Sequence, residues 1–515
     1  MRQKKDACNI CVAISVELAQ IDKMSPRALE LKARLDVHID DAKCQRQVAK
    51  AAIQYAINSH NGNSVVVDAD LDLLLDPMSA GTGPVSSILS DSFTVQMEDF
   101  GGNLSVPLMN LTQPQIDYYL SNLTVSAFIV YCVPERLFYV YVYDQRQAGK
   151  DANALASLRF RHHLKTFLIA KEKESNENSA GSNSEASIST PKSKTNSAGS
   201  NSEASKSSPL SIVNSPGAVK KEKCLFLVMD NCVGQNKSQN VFKFYVLLSI
   251  LFYDRVVIHF FLSGHSHMQN DTCWSWCKSS LKNENFFLPS QLVDKFNKIK
   301  GVRAEVLPQS AFSDWEIFLD RLFKDIFNVP GGYTQFRFFE IKDGVIVMKD
   351  VATSPAGASH RYFDMNDLPA IRQEILNFIF GRKDSSKDSV QVDIRLEDIH
   401  SIDQITLSQA ERKILTAKTL ESIEQKKMFV PIEYWDFYGW KPTKVGGSKV
   451  VSNIESTTTT VTARKVSKGK VKEVENHKNS VLDLFNISSS SSSSSSSRGD
   501  FSKVSFSSFE RAAEI

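Results

Sequence analysis

The chain has 515 residues, enough for about three domains at ~150 residues each. Apolar residues make up 42% and charged residues 23%, and the net charge of +3 is uneven: residues 441–515 hold 12 Lys/Arg against 7 Asp/Glu, the rest 49 against 51. That excludes a protein that coats DNA by charge alone. The lack of an 18-residue apolar run excludes a membrane helix, and eight cysteines in so long a chain point to a reduced, intracellular protein rather than a disulfide framework.

The opening residues are polar, with no signal-peptide apolar stretch. Cys8 and Cys11 have the Cys-x-x-Cys spacing of a zinc knuckle, and His38 and Cys44 follow as candidate partners. Against that pairing, positions 38 and 44 are six apart and do not share a helical face. Helix is expected over 12–58, where apolar residues recur at helical spacing and Pro26 is the main breaker. Residues 65–67 form a β-branched run ending in Asp68 and Asp70. Residues 125–133 and 137–143 read as a hairpin through Pro134-Glu135-Arg136, and 152–170 as a helix.

A Ser/Asn/Lys-rich stretch at 172–219 repeats NSAGSNSEAS twice and lacks the apolar content to fold alone. Beyond it, 224–229 is a continuous apolar run stopping at Asp230, the pattern of a buried strand. A helix at 239–253, a strand at 256–262 and a helix from Asp271 follow, then a hairpin, 334–341 and 345–349, around Asp343-Gly344. Residues 384–389 read as a polar link. From about Lys441 the chain is Gly-, Thr- and Lys-rich and runs into ten serines, with basic residues over 463–472 that suit a nuclear localisation signal or a loose DNA contact. The segments are therefore expected as an N-terminal helical region (1–60), a core (61–290) with its insert at 172–219, an α+β region (291–440) and a disordered tail (441–515).

Three antiparallel strands followed by αβαβα predict an α/β fold with a ribonuclease H-like mixed five-stranded sheet, its last two strands parallel to the first. In that layout acids ending the first and fourth strands meet one on the last helix. Asp70 (with Asp68 as its rival), Asp230 and Asp271 occupy those places, and hard carboxylate oxygens select Mg²⁺ or Mn²⁺, as in metal-dependent phosphodiester cleavage. Each could equally end a strand or cap a helix. Asn231, Gln235 and Asn236 after one strand, and His265 after the next, are supporting polar groups where such sheets bind ligands. Cys273 and Cys277, one helical turn apart, read as core.

MDNCVGQNKSQN and FFLSGHSHMQND resemble the central motifs of a family of transposon-associated eukaryotic proteins. KKDACNIC, HIDDAKCQRQ, DADLDLLLDP, GKDANALAS and KKMFVPIEYWDFY resemble its other segments, so the likeness runs from about Lys4 to Tyr438. The resemblance implies a ribonuclease H-like, DDE-type transposase core that acts on DNA. Two positions depart from the family: Ala154 and Lys278 stand where it carries acids. They point to the alternative of an inactive, domesticated relative that binds nucleic acid or protein. The first cysteine motif lies almost at the first residue, where relatives have an extension, so a piece of a longer protein is expected.

Overall fold

The computed structural model describes residues 8–61, 93–111, 113–181, 223–266, 268–323, 332–350, 357–381 and 394–441, all within one unit spanning Met1–Lys444. Its strands are β1 (Phe93–Phe100), β2 (Leu104–Val106), β3 (Leu108–Met109), β4 (Leu123–Cys132), β5 (Leu137–Asp144) and β6 (Cys224–Met229). Then come β7 (Arg255–Phe260), β8 (Asn285–Phe286), β9 (Val302–Val306), β10 (Phe338–Lys342), β11 (Val345–Lys349) and β12 (Ala358–Arg361). The helices used below are α1 (Asn9–Gln20), α2 (Pro26–His60), α3 (Ala152–Gly181), α4 (Val233–Asn236), α5 (Gln239–Leu251) and α6 (Gln269–Ser280). They continue with α7 (Pro289–Phe296), α8 (Trp315–Phe323), α9 (Leu368–Phe380), α10 (Ala417–Gln425) and α11 (Trp435–Tyr438).

Ten strands form one mixed sheet in the order β12-β11-β10-β7-β6-β1-β4-β5-β9, with β2 beside β4. β1, β6 and β7 are mutually parallel, β4 runs antiparallel to β1, and β5 runs antiparallel to β4. Both faces are covered. Leu225, Leu227 and Met229 of β6 enter the core under α3, α5, α8 and α9, whereas Phe226 and Val228 enter a second core under α2. A strand buried on both faces reads as a near-continuous apolar run, as β6 does throughout and β7 does apart from Arg255 and His259. α6 and α7 cover β4 and β5 in a third cluster.

The α/β class matches the sequence expectation, but the sheet has ten strands rather than five. β9 adds to one edge and β10–β12 to the other, so residues 291–440 extend the same sheet. The strand expected at 65–70 lies outside the described residues, and Phe93–Phe100 takes the central place between β4 and β6. The expected N-terminal helix is two helices, and Ser25 starts the second by accepting a hydrogen bond from the Ala28 amide. α3 runs to Gly181, ten residues into the stretch expected to be disordered, with Lys171 Nζ donating to the Ile399 carbonyl. Residues 182–222, the link 384–389 and the tail from 442 lie outside the described residues. Among the described residues no helix is long and apolar enough to cross a membrane.

Candidate functional site

The parallel register of β1 and β6 ends with Glu98 opposite Met229, so the next residues on each strand are Asp99 and Asp230. Adjacent strands are ~4.8 Å apart, which places the two backbones as neighbours at the carboxyl end of the sheet. Side chains alternate along a strand. Phe93, Val95 and Met97 face α2, as do Phe226 and Val228, so Asp99 and Asp230 emerge on that same face.

Asp271 arrives from α6, and its neighbour fixes where. The buried Asn270 donates through Nδ2 to the carbonyls of Met97 on β1 (3.1 Å) and Ile129 on β4 (2.8 Å). Close approach also needs the glycine pair after β1. A Cβ on Gly101 would stand 2.8 Å from the Trp274 ring, and one on Gly102 3.1 Å from its Nε1. Asp271 also accepts the Met268 amide at 3.1 Å through Oδ2, so it caps its own helix, as the plainer expectation had it. Its Oδ1 takes no hydrogen bond among the described residues.

Below the acids runs a buried polar chain. Glu98 points to the opposite face and meets Arg159 of α3 at 2.6 Å, both side chains 1% exposed. Arg159 donates on to Asn236 Oδ1 (3.1 Å), and Asn236 donates to the Asp230 carbonyl (3.1 Å). Asn236 thus holds the Asp230 corner from behind. Asn231 donates its amide to Asp230 Oδ1 (2.8 Å), and its own Oδ1 is buried without a hydrogen bond. Gln235 lies in the short helix α4, where its amide donates to the Cys232 carbonyl.

Burial first, then the charges of Asp271 and Asp230, push the Asp99 carboxyl up to about 7. The Phe100 amide and the Lys150 ammonium act the other way. Lys150 donates to the Gly101 carbonyl (3.2 Å) and lies over the Phe100 ring (4.9 Å), and burial lowers its pKa. The cation that reaches Asp99 is therefore Lys150 and not Lys278, which is exposed on α6. Ala154 is buried beside Ala148, Leu155 and Phe312. Asp68 and Asp70 lie outside the described residues. Asp99 is not among the acids expected from the sequence, whose only local cue to it is the strand end Asp99-Phe100-Gly101-Gly102.

Among the described residues one group of His, Cys, Asp or Glu side chains could hold a metal ion, its ligand atoms within 4.8 Å of one another: Cys8, Cys11, His38 and His265; Asp99, Asp230 and Asp271 do not form such a group. Cys8 Sγ is 3.2 Å from His38 Nε2, and Cys11 Sγ is 3.5 Å from His265 Nε2. Cys44 is not part of it. His265, expected to support the acids, belongs instead with the cysteines. Cys273 and Cys277 are fully buried in the core, as expected.

A domain of unknown function, DUF7869, matches residues 210–354. That span covers β6 to β11 and so includes Asp230, His265 and Asp271, but neither Asp99 nor the cysteine pair. No curated protein and no solved structure matches the chain.

Proposed function

We propose that the chain is a ribonuclease H-like protein of transposase descent in which Asp99, Asp230 and Asp271 hold Mg²⁺ or Mn²⁺ for cleavage or strand transfer of DNA. The observation that carries this reading is the juxtaposition of Asp99 and Asp230 at the ends of parallel neighbours, with Asn270 pinning the helix of Asp271 across the same strands. The strand order β5-β4-β1-β6-β7, with β1, β6 and β7 parallel, supports it, being the order of a ribonuclease H-like sheet. Three carboxylates repel one another until a cation intervenes, and oxygen donors suit a hard divalent ion. Bound there, such an ion would activate water and stabilise the leaving oxygen. In this reading Asp99 takes the role expected of Asp70. Zinc suits the other group, Cys8, Cys11, His38 and His265, because thiolate and imidazole are its preferred ligands. A nuclear location, expected from the basic run at 463–472, accords with a DNA substrate.

One observation favours the second reading, a non-catalytic relative. Lys150 already supplies positive charge to Asp99, which weakens the need for an ion. Calorimetric titration with Mn²⁺, alongside a nicking assay on duplex DNA, separates the two. Active parent protein, with Asp99→Asn and Asp230→Asn each losing both Mn²⁺ binding and nicking, supports the enzyme. Absent binding in the parent, restored by Lys150→Ala, supports the inactive relative.

A further inference from the structure

We infer that Cys8, Cys11, His38 and His265 form a closed, four-ligand zinc site that fastens the N-terminal helices to the loop after β7. The four ligands come from three distant parts of the chain. Cys8 precedes α1 and Cys11 lies in its first turn, the Cys8 carbonyl accepting the Val12 amide at 2.9 Å. His38 projects from the middle of α2, and His265 follows Gly264 in the turn closed by the His265 amide on the Leu262 carbonyl (2.9 Å).

The distances suit zinc. Bonds of ~2.3 Å to sulfur and ~2.0 Å to nitrogen in a tetrahedron put sulfur and nitrogen ligands ~3.5 Å apart. The two sulfur–nitrogen contacts are 3.2 and 3.5 Å, and all four donors lie within 4.8 Å. The two imidazole rings meet edge to face, with centroids 5.2 Å apart, and each has a nitrogen within the 4.8 Å group of ligand atoms. Two thiols and two imidazoles with no carboxylate among them form a donor set that selects zinc over magnesium or calcium. Four protein ligands leave no position for water, the mark of a structural rather than a catalytic ion.

Gly264 gives independent support. Its φ is +78°, and a Cβ there would stand 2.5 Å from Cys8 Cα and 2.8 Å from Cys8 N. No side chain larger than hydrogen fits between the turn and the cysteine knuckle, so the backbone is built for this approach. Arg46 adds a contact from α2 to the His265 carbonyl at 3.5 Å. The site also explains why Cys44 is excluded: six residues beyond His38, it turns to another side of α2.

His265 is six positions ahead of Asp271, so the ion would also steady the loop that delivers the acid. This consequence rests on the metal-acid reading, whereas the zinc site itself does not. The test uses the full-length chain, reduced and equilibrated with zinc, then dialysed and assayed for metal. About one zinc per chain is expected. Cobalt in its place should give the intense visible bands of a tetrahedral ion and a thiolate-to-cobalt absorption. His265→Ala should lose the ion at zinc concentrations that saturate the parent. His265→Cys should keep it with a third thiolate contribution, and Cys44→Ser should change nothing. A parent chain that retains no zinc overturns the site. So does His265→Ala with the parent's affinity and cobalt spectrum, or Cys44→Ser without the ion. None of these readouts depends on the aspartates, so failure of the nuclease reading would leave them intact.

Discussion

Asp99 shows how a single residue can report on the whole site. Its carboxyl is raised to about 7 by burial and then by Asp271 and Asp230, against ~3.9 in an unfolded chain. The folded protein therefore binds this proton more tightly than the unfolded one. The associated stability is fully present below about pH 4 and is lost as pH rises through about 7. Asp99→Asn removes the ionisation, so it should stabilise the ion-free chain near pH 8 by on the order of 1–2 kcal/mol, after allowance for solvent screening, and hardly alter it near pH 4. Urea titrations at both pH values check this, and an equal effect at both would remove the electrostatic explanation. A cation among the acids offsets the same repulsion. Mn²⁺ binding near pH 6 should therefore release a proton, and the affinity should weaken as pH falls through about 7.

At the scale of elements, what was legible in the sequence depended on where burial came from. β4, β5, β6 and β7 announce themselves because each carries a run of apolar or aromatic residues. β1 does not, because Gln96, Glu98 and Asp99 interrupt Phe93–Phe100. Glu98 is buried only because Arg159 arrives from α3, 61 positions later, and no local pattern encodes such a partner. Asp230 and Asp271 stand out in the sequence because each follows or opens a clear element, whereas Asp99 lies on β1, which does not. His265 was found but given the wrong neighbours, because its cysteine partner is 254 positions away. The approach of α6 to β1 makes a prediction at this scale. Gly101→Ala puts a methyl group 2.8 Å from Trp274 and should cost about 1–3 kcal/mol. Adding Trp274→Leu, which opens the space, should make the pair less destabilising than the sum of its parts. Chemical denaturation of both single variants and the double variant decides it, because strict additivity would mean that the glycine and the ring do not press on each other.

Across the whole molecule, the acid-bearing face is closed by chain segments far from it in sequence. Trp440 is buried against the cluster of β4, β5, α6 and α7, and Tyr438 donates its hydroxyl to the Phe287 carbonyl at 2.6 Å. Arg146, just after β5, lies 4.4 Å from the centre of the Phe437 ring and donates to the Phe437 carbonyl at 2.9 Å. The anchor of this segment is Lys426. Its side chain is fully buried, 2.5 Å from Asp117 ahead of β4, and it also donates to Asn122. A buried charge that loses its partner is costly, whereas removing both charges is often nearly neutral. Lys426→Met should therefore destabilise the chain by about 3–5 kcal/mol, because the Asp117 carboxylate stays behind without its cation. Asp117→Asn added to it should recover most of that loss, since the amide oxygen can still accept from Gln113, which donates at 2.9 Å to Asp117 Oδ2. Because α6 packs on this same face through Cys273, Trp274 and Cys277, the single variant should also bind Mn²⁺ more weakly and the double variant should regain it. Melting curves and Mn²⁺ titrations on the three proteins test both parts. Recovery of stability without recovery of binding would separate the C-terminal anchor from the acids, and unchanged melting in Lys426→Met would show that the anchor does not hold this face at all.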